Sequence, residues 1–403
     1  MRLLVNGTEL SGSVRAIASK SVAHRLLICA ALSDSVCQIR CEILSRDISA
    51  TVDCLRALGA EINYENGVFS VYPISGEIGT FTAHAGESGS TLRFLLPVAC
   101  ALGAKGEFIM EGRLPSRPLS PLYEALCEHG CSLSPQGKSP MEVSGKLSGG
   151  RFRLRADVSS QFISGLLFAL PMCCGDSRIE LEGHVESASY IEMTLDALRL
   201  FGIKVEKTEK GYFIPGSQKY ISPGKLNVEG DWSNGAFWLC AAALGRPVKV
   251  TGLESGSLQG DKAVLSVLEN FGNPLRGSDV DAKDIPDLVP VLSVVASVAE
   301  GRSVFYGAAR LRLKESDRLE STAKMLKALG ASVKVNTDGL EITGAALHSG
   351  TVDACNDHRI AMSAAVASAV AGDVIINGAE AVNKSYPGFW DDFKALGGRV
   401  EQI

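Results

Sequence analysis

The chain has 403 residues, of which 46% are hydrophobic and 21% are charged, and its formal net charge is −5. This length predicts two to three domains with a large core, and the acidic balance argues against a nucleic-acid-binding surface, which usually requires a basic excess. The longest apolar runs, such as residues 289–299, are shorter than the roughly 20 residues of a membrane-spanning helix, and residues 1–10 lack the features of a signal peptide, so we expect a cytoplasmic protein without a membrane partner.

A two-part sequence pattern recurs six times along the chain. Its first part is a polar or small start followed by an apolar run, which predicts a buried helix. These runs cover residues 19–32, 88–102, 159–172, 231–244, 284–299 and 357–371. Its second part is an amphipathic run that ends on a glycine, which predicts an outer helix with a C-terminal glycine cap. The closing glycines are Gly59, Gly130, Gly202, Gly272, Gly330 and Gly397, at intervals of 71, 72, 70, 58 and 67 residues.

A long and nearly constant period indicates one supersecondary unit copied six times. Each copy reads as strand, buried helix, strand, outer helix and hairpin, with Asp338-Gly339 as one hairpin turn. Six copies would make one very large core, so we expect a split into three plus three. The best seam is residues 206–230, which are rich in Lys, Gly and Pro. The pattern leaves open where residues 1–13 dock.

The starts of the buried helices carry more than ordinary caps. Ser, Thr, Asp and Asn at these positions are expected as N-caps, and taken singly each has that explanation. Cations are disfavoured at the positive end of a helix, yet Lys20, Arg25, Arg93 and Arg359 lie at or near these starts. A bound phosphate or carboxylate would satisfy the backbone N–H groups, the helix dipole and the cation together.

Three further segments place charge at turns. Lys314 and Arg318 are spaced i, i+4 beside Glu315, and on a helix they would share one face; a solvated, salt-bridged face is the alternative interpretation. Arg117 lies in a proline-stiffened loop, and Lys384 precedes a proline turn. An acidic protein that concentrates its cations in this way is expected to bind a multiply anionic small molecule.

Eleven cysteines, many of them inside the apolar runs, indicate packed thiols in a reducing cytosol. The sequence contains no C-x-x-C, H-E-x-x-H or Walker phosphate loop. We therefore expect neither a metal nor a cofactor.

Nine short motifs then occur in a familiar order: SKSVAHR, GSTLR, SRP, SSQF, ESASY, IPD, KESDRL, NDHRIAM and the late Lys384. In this order the chain resembles the 3-phosphoshikimate 1-carboxyvinyltransferase (EPSP synthase) family of enolpyruvyl transferases, from about residue 10 to residue 395. The resemblance implies an α/β (α+β) fold of two similar domains, each of three βαβαββ repeats with buried parallel helices surrounded by sheets, an inside-out α/β barrel. Domain 1 would comprise residues 1–18 and 229–403 and domain 2 residues 19–228, with the active site in the cleft.

The resemblance also implies the reaction and the residues. A monomeric enzyme would transfer the carboxyvinyl group of phosphoenolpyruvate to the 5-hydroxyl of shikimate 3-phosphate, releasing phosphate. The residues implied for shikimate 3-phosphate are Lys20, Ser21, Arg25, Ser159, Ser160, Ser187 and Lys314, with Gln161 touching both substrates. Those implied for phosphoenolpyruvate are Gly89, Arg117, Arg318, Arg359 and Lys384, with Tyr190 and Arg93 lining the site. Asp287 and Glu315 would transfer protons, and Lys20 would assist near phosphoenolpyruvate.

The chain departs from the family pattern at two places. Ile17-Ala18 stands where Pro-Gly is common, and Glu87 and Ser90 flank Gly89, which puts a negative charge near an expected anion site. The nearest alternative is a UDP-N-acetylglucosamine enolpyruvyl transferase, but residues 104–120 lack its reactive cysteine. The second is a non-catalytic repeat protein that binds a phosphorylated ligand, which would need no carboxyl pair.

Overall fold

The computed structural model describes residues 1–76, 78–155, 157–183 and 185–403. The chain divides into two compact units. The first, here called the terminal unit, comprises Met1–Ser19 and Glu229–Ile403. The second, the central unit, comprises Lys20–Val228. Each unit is described by itself.

The central unit consists of three repeats of strand, buried helix, strand, outer helix and hairpin. Strands β1 (Arg2–Asn6) and β2 (Gly12–Arg15) precede it in the terminal unit. Its helices are α1 (Lys20–Ala31), α2 (Arg46–Ala57), α3 (Gly89–Leu102), α4 (Leu122–Glu128), α5 (Ser160–Ala169) and α6 (Ala188–Leu200). Its strands are β3 (Cys37–Arg40), β4 (Glu61–Glu65), β5 (Val68–Tyr72), β6 (Thr80–Gly86), β7 (Lys105–Met110), β8 (Cys131–Leu133), β9 (Met141–Gly145), β10 (Arg151–Arg155), β11 (Ser177–Glu182), β12 (Glu206–Thr208), β13 (Gly211–Ile214) and β14 (Lys225–Asn227).

These strands form three four-stranded sheets with one common order, β14-β3-β5-β4, β6-β7-β9-β8 and β10-β11-β13-β12. The first two strands of each sheet are parallel and the others antiparallel. A parallel pair needs a crossover connection. In the second and third repeats α3 and α5 provide it, whereas the first repeat takes its leading strand, β14, from the end of the unit.

The terminal unit repeats the plan with one irregular copy. Its helices are α7 (Trp232–Ala243), α8 (Val264–Phe271), α9 (Val289–Val298), α10 (Arg318–Ala328), α11 (His358–Ala371) and α12 (Phe389–Ala395). Its later strands are β15 (Val248–Thr251), β16 (Asp279–Asp281), β17 (Arg302–Tyr306), β18 (Ser332–Asn336), β19 (Gly339–Thr343), β20 (Gly350–Asp353), β21 (Val374–Asn377) and β22 (Arg399–Gln402). The sheets are β16-β17-β19-β18, β20-β21-β1-β22 and the pair β15-β2.

The two leading strands complete sheets formed by the C-terminal half of the chain. β1 lies between β21 and β22 and is antiparallel to both, which is the position that β19 occupies in the neighbouring repeat. β2 pairs in parallel with β15. The fourth repeat has no hairpin after α8, and this accounts for the short interval between Gly272 and Gly330.

The six closing glycines confirm the predicted helix ends. All of them have a positive φ, from +71° at Gly272 to +102° at Gly59, a region that costs glycine little. The Asp338-Gly339 turn was placed one residue too late, because the turn residues are Thr337-Asp338 and Gly339 begins β19 opposite Asn336. Glycine is needed there because a Cβ would collide with the carbonyl oxygen of Phe305.

The predicted apolar runs are the buried helices. In α11 every residue except Val370 is buried, including Ser363 and Ser368. Within the described ranges, no helix is both long and apolar enough to cross a membrane. All eleven cysteines are free thiols and eight of them are buried, so they pack as predicted.

Candidate active site

The predicted site residues are distributed over both units, and most of them lie at or just before helix starts. Lys20, Gly89, Ser159 and Arg359 belong to starts of buried helices, whereas Ser187 and Arg318 belong to starts of outer helices. In the central unit, Lys20 is the first residue of α1. Its Nζ lies 2.8 Å from Oδ2 of Asp47 on α2, a carboxylate that the sequence did not single out. Four residues later, burial lowers the pKa of His24 well below its ordinary value, with Lys20 and Arg25 adding to the effect. His24 is therefore neutral at physiological pH.

Arg25 ties two helices of the central unit together. The side chain is 2% exposed, and its three nitrogens donate to the carbonyls of Ser21 and Tyr190 and to Oγ1 of Thr194, at 2.6, 2.8 and 2.9 Å. Burial lowers the pKa of Arg25 to about 10. The guanidinium therefore holds the start of α1 against α6 and remains charged at neutral pH.

A second chain of hydrogen bonds joins α3 to α5. Nη1 of Arg93 donates to Oε1 of Gln161 at 2.8 Å, and Nε2 of Gln161 donates to Oγ of Ser90 at 2.8 Å. Ser159 caps α5 by accepting from the backbone N–H of Gln161, and Ser160, the first helical residue, is buried. The predicted residues of these two helix starts thus form one polar group.

Two backbone positions in the central unit are restricted. Ser187, just before α6, is buried and has φ of 54°, a left-handed conformation that is uncommon for serine. A Cβ built on Gly89 would lie 2.7 Å from Nη1 of Arg117, so this guanidinium rests directly against the start of α3. The absence of a side chain at Gly89 therefore sets the position of the predicted phosphate-binding cation.

Replacing Gly89 by alanine should displace the Arg117 guanidinium without unfolding the protein, because the contacted atoms end a flexible side chain. We expect the KM for phosphoenolpyruvate to rise by about tenfold, since an arginine–phosphate contact depends on its geometry. Steady-state kinetics and thermal unfolding of Gly89→Ala test this. Gly79→Ala is the matched control, because a Cβ there has no neighbour within 4 Å. An unchanged KM in Gly89→Ala would contradict the expectation.

The terminal set is organised around Arg318, the first residue of α10. The side chain is 1% exposed and meets three carboxylates. Its Nε donates to Oδ2 of Asp357 at 2.7 Å, its Nη1 to Oδ1 of Asp287 at 2.7 Å, and its Nη2 to Oε2 of Glu315 at 2.6 Å. Burial by itself would lower the pKa of Arg318, but these carboxylates raise it above its ordinary value. Arg318 thus fixes both carboxylates of the predicted proton-transfer pair.

Asp287 lies in a short 3-10 turn before α9 and does not cap that helix. Its Oδ2 lies 3.1 Å from Nη2 of Arg359 and its Oδ1 3.5 Å from Nζ of Lys314. Arg359 also donates to the carbonyl of Asp287 at 3.1 Å and to Oγ of Ser233 at 2.7 Å. Three cations therefore surround one carboxylate, which argues against a plain N-cap.

Lys314 was expected on the same helical face as Arg318, and this expectation is wrong. A 3-10 turn covers Ala309–Leu313, Lys314 is extended, and Asp317 caps α10 by accepting from the backbone N–H of Glu320. The two cations meet because both turn toward Asp287. Burial lowers the pKa of Lys314 to about 8, with Asp287 opposing the shift.

The pKa of Lys314 predicts a pH dependence of substrate binding. The ammonium is present below about pH 8 and is lost above it, so the affinity for an anionic substrate should fall by about tenfold between about pH 7 and pH 9. Isothermal titration with shikimate 3-phosphate measures this change. Lys314→Arg is the matched control, because arginine keeps its charge throughout this range. Parallel pH curves for the two proteins would contradict the assignment.

Lys384 completes the terminal set. It ends a 3-10 turn, is 4% exposed, and donates through Nζ to the carbonyl of Asn356 at 2.7 Å. Asn356 and its neighbour Cys355 both have a positive φ. This strained turn lies immediately before α11, so Lys384 adds a cation close to the start of the helix that carries Arg359.

Two members of the terminal set escaped the sequence reading. Ser233 lies at a buried-helix start, where a serine is expected as an N-cap. Asp231 caps α7 instead, accepting from the backbone N–H of Asn234 at 2.7 Å, and Ser233 accepts a hydrogen bond from Arg359. No local sequence pattern marks Asp261, which is buried and is influenced by the charges of Arg359 and Asp287. The sequence signal for Ser233 is that every other buried-helix start carries a predicted site residue. Among the described residues, no group of His, Cys, Asp or Glu is arranged to hold a metal ion.

The fold and these two sets define a class of protein. It has two units built from βαβαββ repeats, each with cations near helix starts, and the terminal unit also holds Asp287 and Glu315 on Arg318. Binding of anions and proton transfer require groups of these kinds. The model of the EPSP synthase family, described as 3-phosphoshikimate 1-carboxyvinyltransferase, matches residues 4–393. The chain therefore belongs to the EPSP synthase family, and it is a transferase with small-molecule substrates.

Individual relatives agree with this membership. A 3-phosphoshikimate 1-carboxyvinyltransferase of Clostridium kluyveri is 43% identical over 417 residues, covering 99% of this chain and 98% of the relative. One from Clostridium acetobutylicum is 41% identical, with coverages of 99% and 98%. Among solved structures, EPSP synthase of Acinetobacter baumannii superposes with a TM-score of 0.82 at 23% identity, each chain covered completely. That last similarity concerns the fold alone.

Proposed function

We propose that the enzyme transfers the carboxyvinyl group of phosphoenolpyruvate to the 5-hydroxyl of shikimate 3-phosphate. The observation that carries this proposal is the Arg318 group, in which one buried guanidinium holds Asp287 and Glu315, and two further cations, Lys314 and Arg359, contact Asp287. Such a group can bind anions and exchange protons at the same place. We propose that the two sets, one from each unit, act on a single bound pair of substrates.

In the proposed addition, the 5-hydroxyl oxygen bonds to C2 of phosphoenolpyruvate while Asp287 accepts the hydroxyl proton and Glu315 delivers a proton to C3. In the proposed elimination, the C2–O bond to phosphate breaks, the new methyl group returns a proton to Glu315, and the departing phosphate takes the proton held by Asp287. The enol ether and phosphate then leave. Arg359, Arg318 and Lys384 would neutralise the phosphoenolpyruvate carboxylate. A positioned acid or base of this kind typically contributes a factor of about 10² to 10⁴.

In the central unit, the phosphate of phosphoenolpyruvate would bind at Gly89 and Arg117. Lys20 and Gln161 would contact both substrates. The serines at the starts of α5 and α6 would, with Lys314, hold the phosphate of shikimate 3-phosphate, and Ser21 would contact the same substrate. Arg25 and Arg93 would act chiefly by holding these helix starts in place, since their nitrogens already bond to neighbouring groups. Backbone N–H groups at helix starts favour anions.

We also propose a monomer in the cytoplasm, without nucleic-acid or membrane partners. Eight buried free thiols fit a reducing compartment, and the net charge of −5 does not favour a nucleic-acid partner. Analytical ultracentrifugation tests the monomer, and a concentration-dependent dimer would contradict it.

The function is tested by measuring phosphate release from phosphoenolpyruvate with and without shikimate 3-phosphate. Release should require both substrates, and mass spectrometry should find the enol ether product. UDP-N-acetylglucosamine replaces shikimate 3-phosphate in the control reaction. Release with the UDP-sugar and none with shikimate 3-phosphate would overturn the proposal in favour of the alternative transferase.

A further inference from the structure

The 3-10 turn Gly260–Ala263 of the terminal unit contains a carboxyl group for which the reaction outlined above has no use. Asp261 is 2% exposed, and the hydroxyl of Ser233 lies close enough to its carboxyl group to lower the pKa of Asp261. Its Oδ1 is buried and has no hydrogen-bond partner in the described part of the chain. An incompletely satisfied buried carboxyl group is costly, so its presence beside a reactive centre calls for a reason.

The residues beside Asp261 connect it to Asp287, the proposed general base. Oγ of Ser233 accepts from Nη2 of Arg359 at 2.7 Å, so the hydroxyl hydrogen of Ser233 is available to Asp261. Arg359 in turn contacts Oδ2 of Asp287 at 3.1 Å. Asp261, Ser233, Arg359 and Asp287 therefore form one line of polar contacts drawn from four separate elements of the unit.

We propose that Asp261 is a positioning residue of this reaction, which holds Arg359 against Asp287 through Ser233 and keeps Asp287 basic by its negative charge. The inference rests on the proposed function, in which Asp287 accepts the hydroxyl proton. Asp261 touches neither substrate in this scheme and acts through the residues beside it.

Three cations contact the carboxylate of Asp287. Lys314, Arg318 and Arg359 each favour its ionised form and so lower its proton affinity, whereas a general base works best when its proton affinity suits the working pH. Glu315 and Asp357 are engaged by Arg318. A further negative charge nearby opposes the three cations, and Asp261 is placed to supply it.

The pKa of Asp261 is consistent with an effect of its charge on Asp287. Burial raises its pKa from 3.8 to about 7, with Asp287 and Asp231 acting in the same direction and Arg359 and Ser233 against them. Asp231 approaches from the start of α7, Asp287 from the turn before α9, and Arg359 from α11. Asp261 therefore changes its charge near neutral pH, where it would change the basicity of Asp287 as well.

The kinetic test compares the pH profile of kcat/KM for phosphoenolpyruvate in the wild type, Asp261→Asn and Ser233→Ala. Asp261→Asn should move the acidic limb to lower pH and lower the plateau by on the order of tenfold, because Asp287 becomes a weaker base. Ser233→Ala keeps the charge but loses the bond to Arg359, so it should raise the KM for phosphoenolpyruvate and leave the acidic limb in place. Glu229→Gln is the control and should keep the wild-type profile, because Glu229 is a half-buried carboxyl group outside the site that bonds to Ser257 and Gln259.

A pH profile of Asp261→Asn that superimposes on the wild-type profile overturns the inference, because a purely structural role would lower activity without moving the limb. An inactive wild type would instead contradict the proposed function. Thermal unfolding gives a readout that needs no activity.

The folded-state pKa of Asp261 lies above its ordinary value, so the stability it contributes is present below about pH 4 and is lost as pH rises to about 7. The Tm of Asp261→Asn relative to wild type should therefore increase across this interval and then level off. A constant difference in Tm would also overturn the inference.

Discussion

Replacing Asp287 by asparagine should lower kcat by two to four orders of magnitude, the usual contribution of a positioned general base. Asparagine keeps an oxygen that can accept from Arg318 and Arg359, but it cannot take up the hydroxyl proton. Rapid-quench kinetics with shikimate 3-phosphate and phosphoenolpyruvate should show a slow chemical step, while equilibrium binding of shikimate 3-phosphate stays close to that of the wild type.

Asp281→Asn is the matched control for this experiment. Asp281 is an exposed aspartate six positions earlier, paired loosely with Lys283 at 3.7 Å, and its replacement should leave kcat unchanged. A kcat of Asp287→Asn within about threefold of the wild type would remove Asp287 from the proton-transfer pair. Glu315 would then be the first candidate for the base.

Replacing Arg318 by methionine should destabilise the protein by about 3 to 5 kcal/mol, the cost of removing one partner from a buried ion pair. The side chain is 1% exposed and three carboxylates depend on it. Methionine fills much of the same volume, so the loss reflects the charge and its hydrogen bonds rather than a cavity. Urea unfolding measures the change, and phosphoenolpyruvate binding should be lost together with stability.

Arg312→Met separates this effect from the general loss of an arginine. Arg312 also pairs with two carboxylates, Asp317 at 3.0 Å and Glu320 at 3.6 Å, but its side chain is 32% exposed. Exposed pairs contribute at most about 1 kcal/mol, so Arg312→Met should unfold near the wild-type urea concentration. If the two variants lowered the free energy of unfolding equally, the buried ion pairs of Arg318 would contribute no more than the exposed pairs of Arg312.

The spacing of short patterns was enough to predict the repeats and the helix ends. A buried helix and the glycine that ends an outer helix are local features, since the first depends on apolar periodicity and the second on backbone conformation. The six closing glycines show this most clearly, because each adopts the positive φ that its position requires. The cations at helix starts likewise predicted bound anions, because a cation opposes the helix dipole unless an anion neutralises it.

Other features depended on contacts between distant parts of the chain. The position of β1 between β21 and β22 joins the two ends of the sequence, and no local pattern encodes such a pairing. Lys314 was misplaced because α10 begins only at Arg318, after the Asp317 cap, and Lys314 itself is extended. The turn at Thr337-Asp338 was missed by one residue because Gly339 is required by the close approach of Phe305, not by the turn itself.

The sequence by itself therefore determined the repeated architecture and the buried and outer helices, and it predicted an anion-binding site from the cations near helix starts. Only the tertiary structure determined which of these residues contact one another. It placed Arg318 among three carboxylates, brought Ser233 to Arg359, and buried Asp261 behind Ser233. The physical reason is that capping and periodicity act within a few residues, whereas burial and charge pairing arise only when helix starts from separate repeats meet.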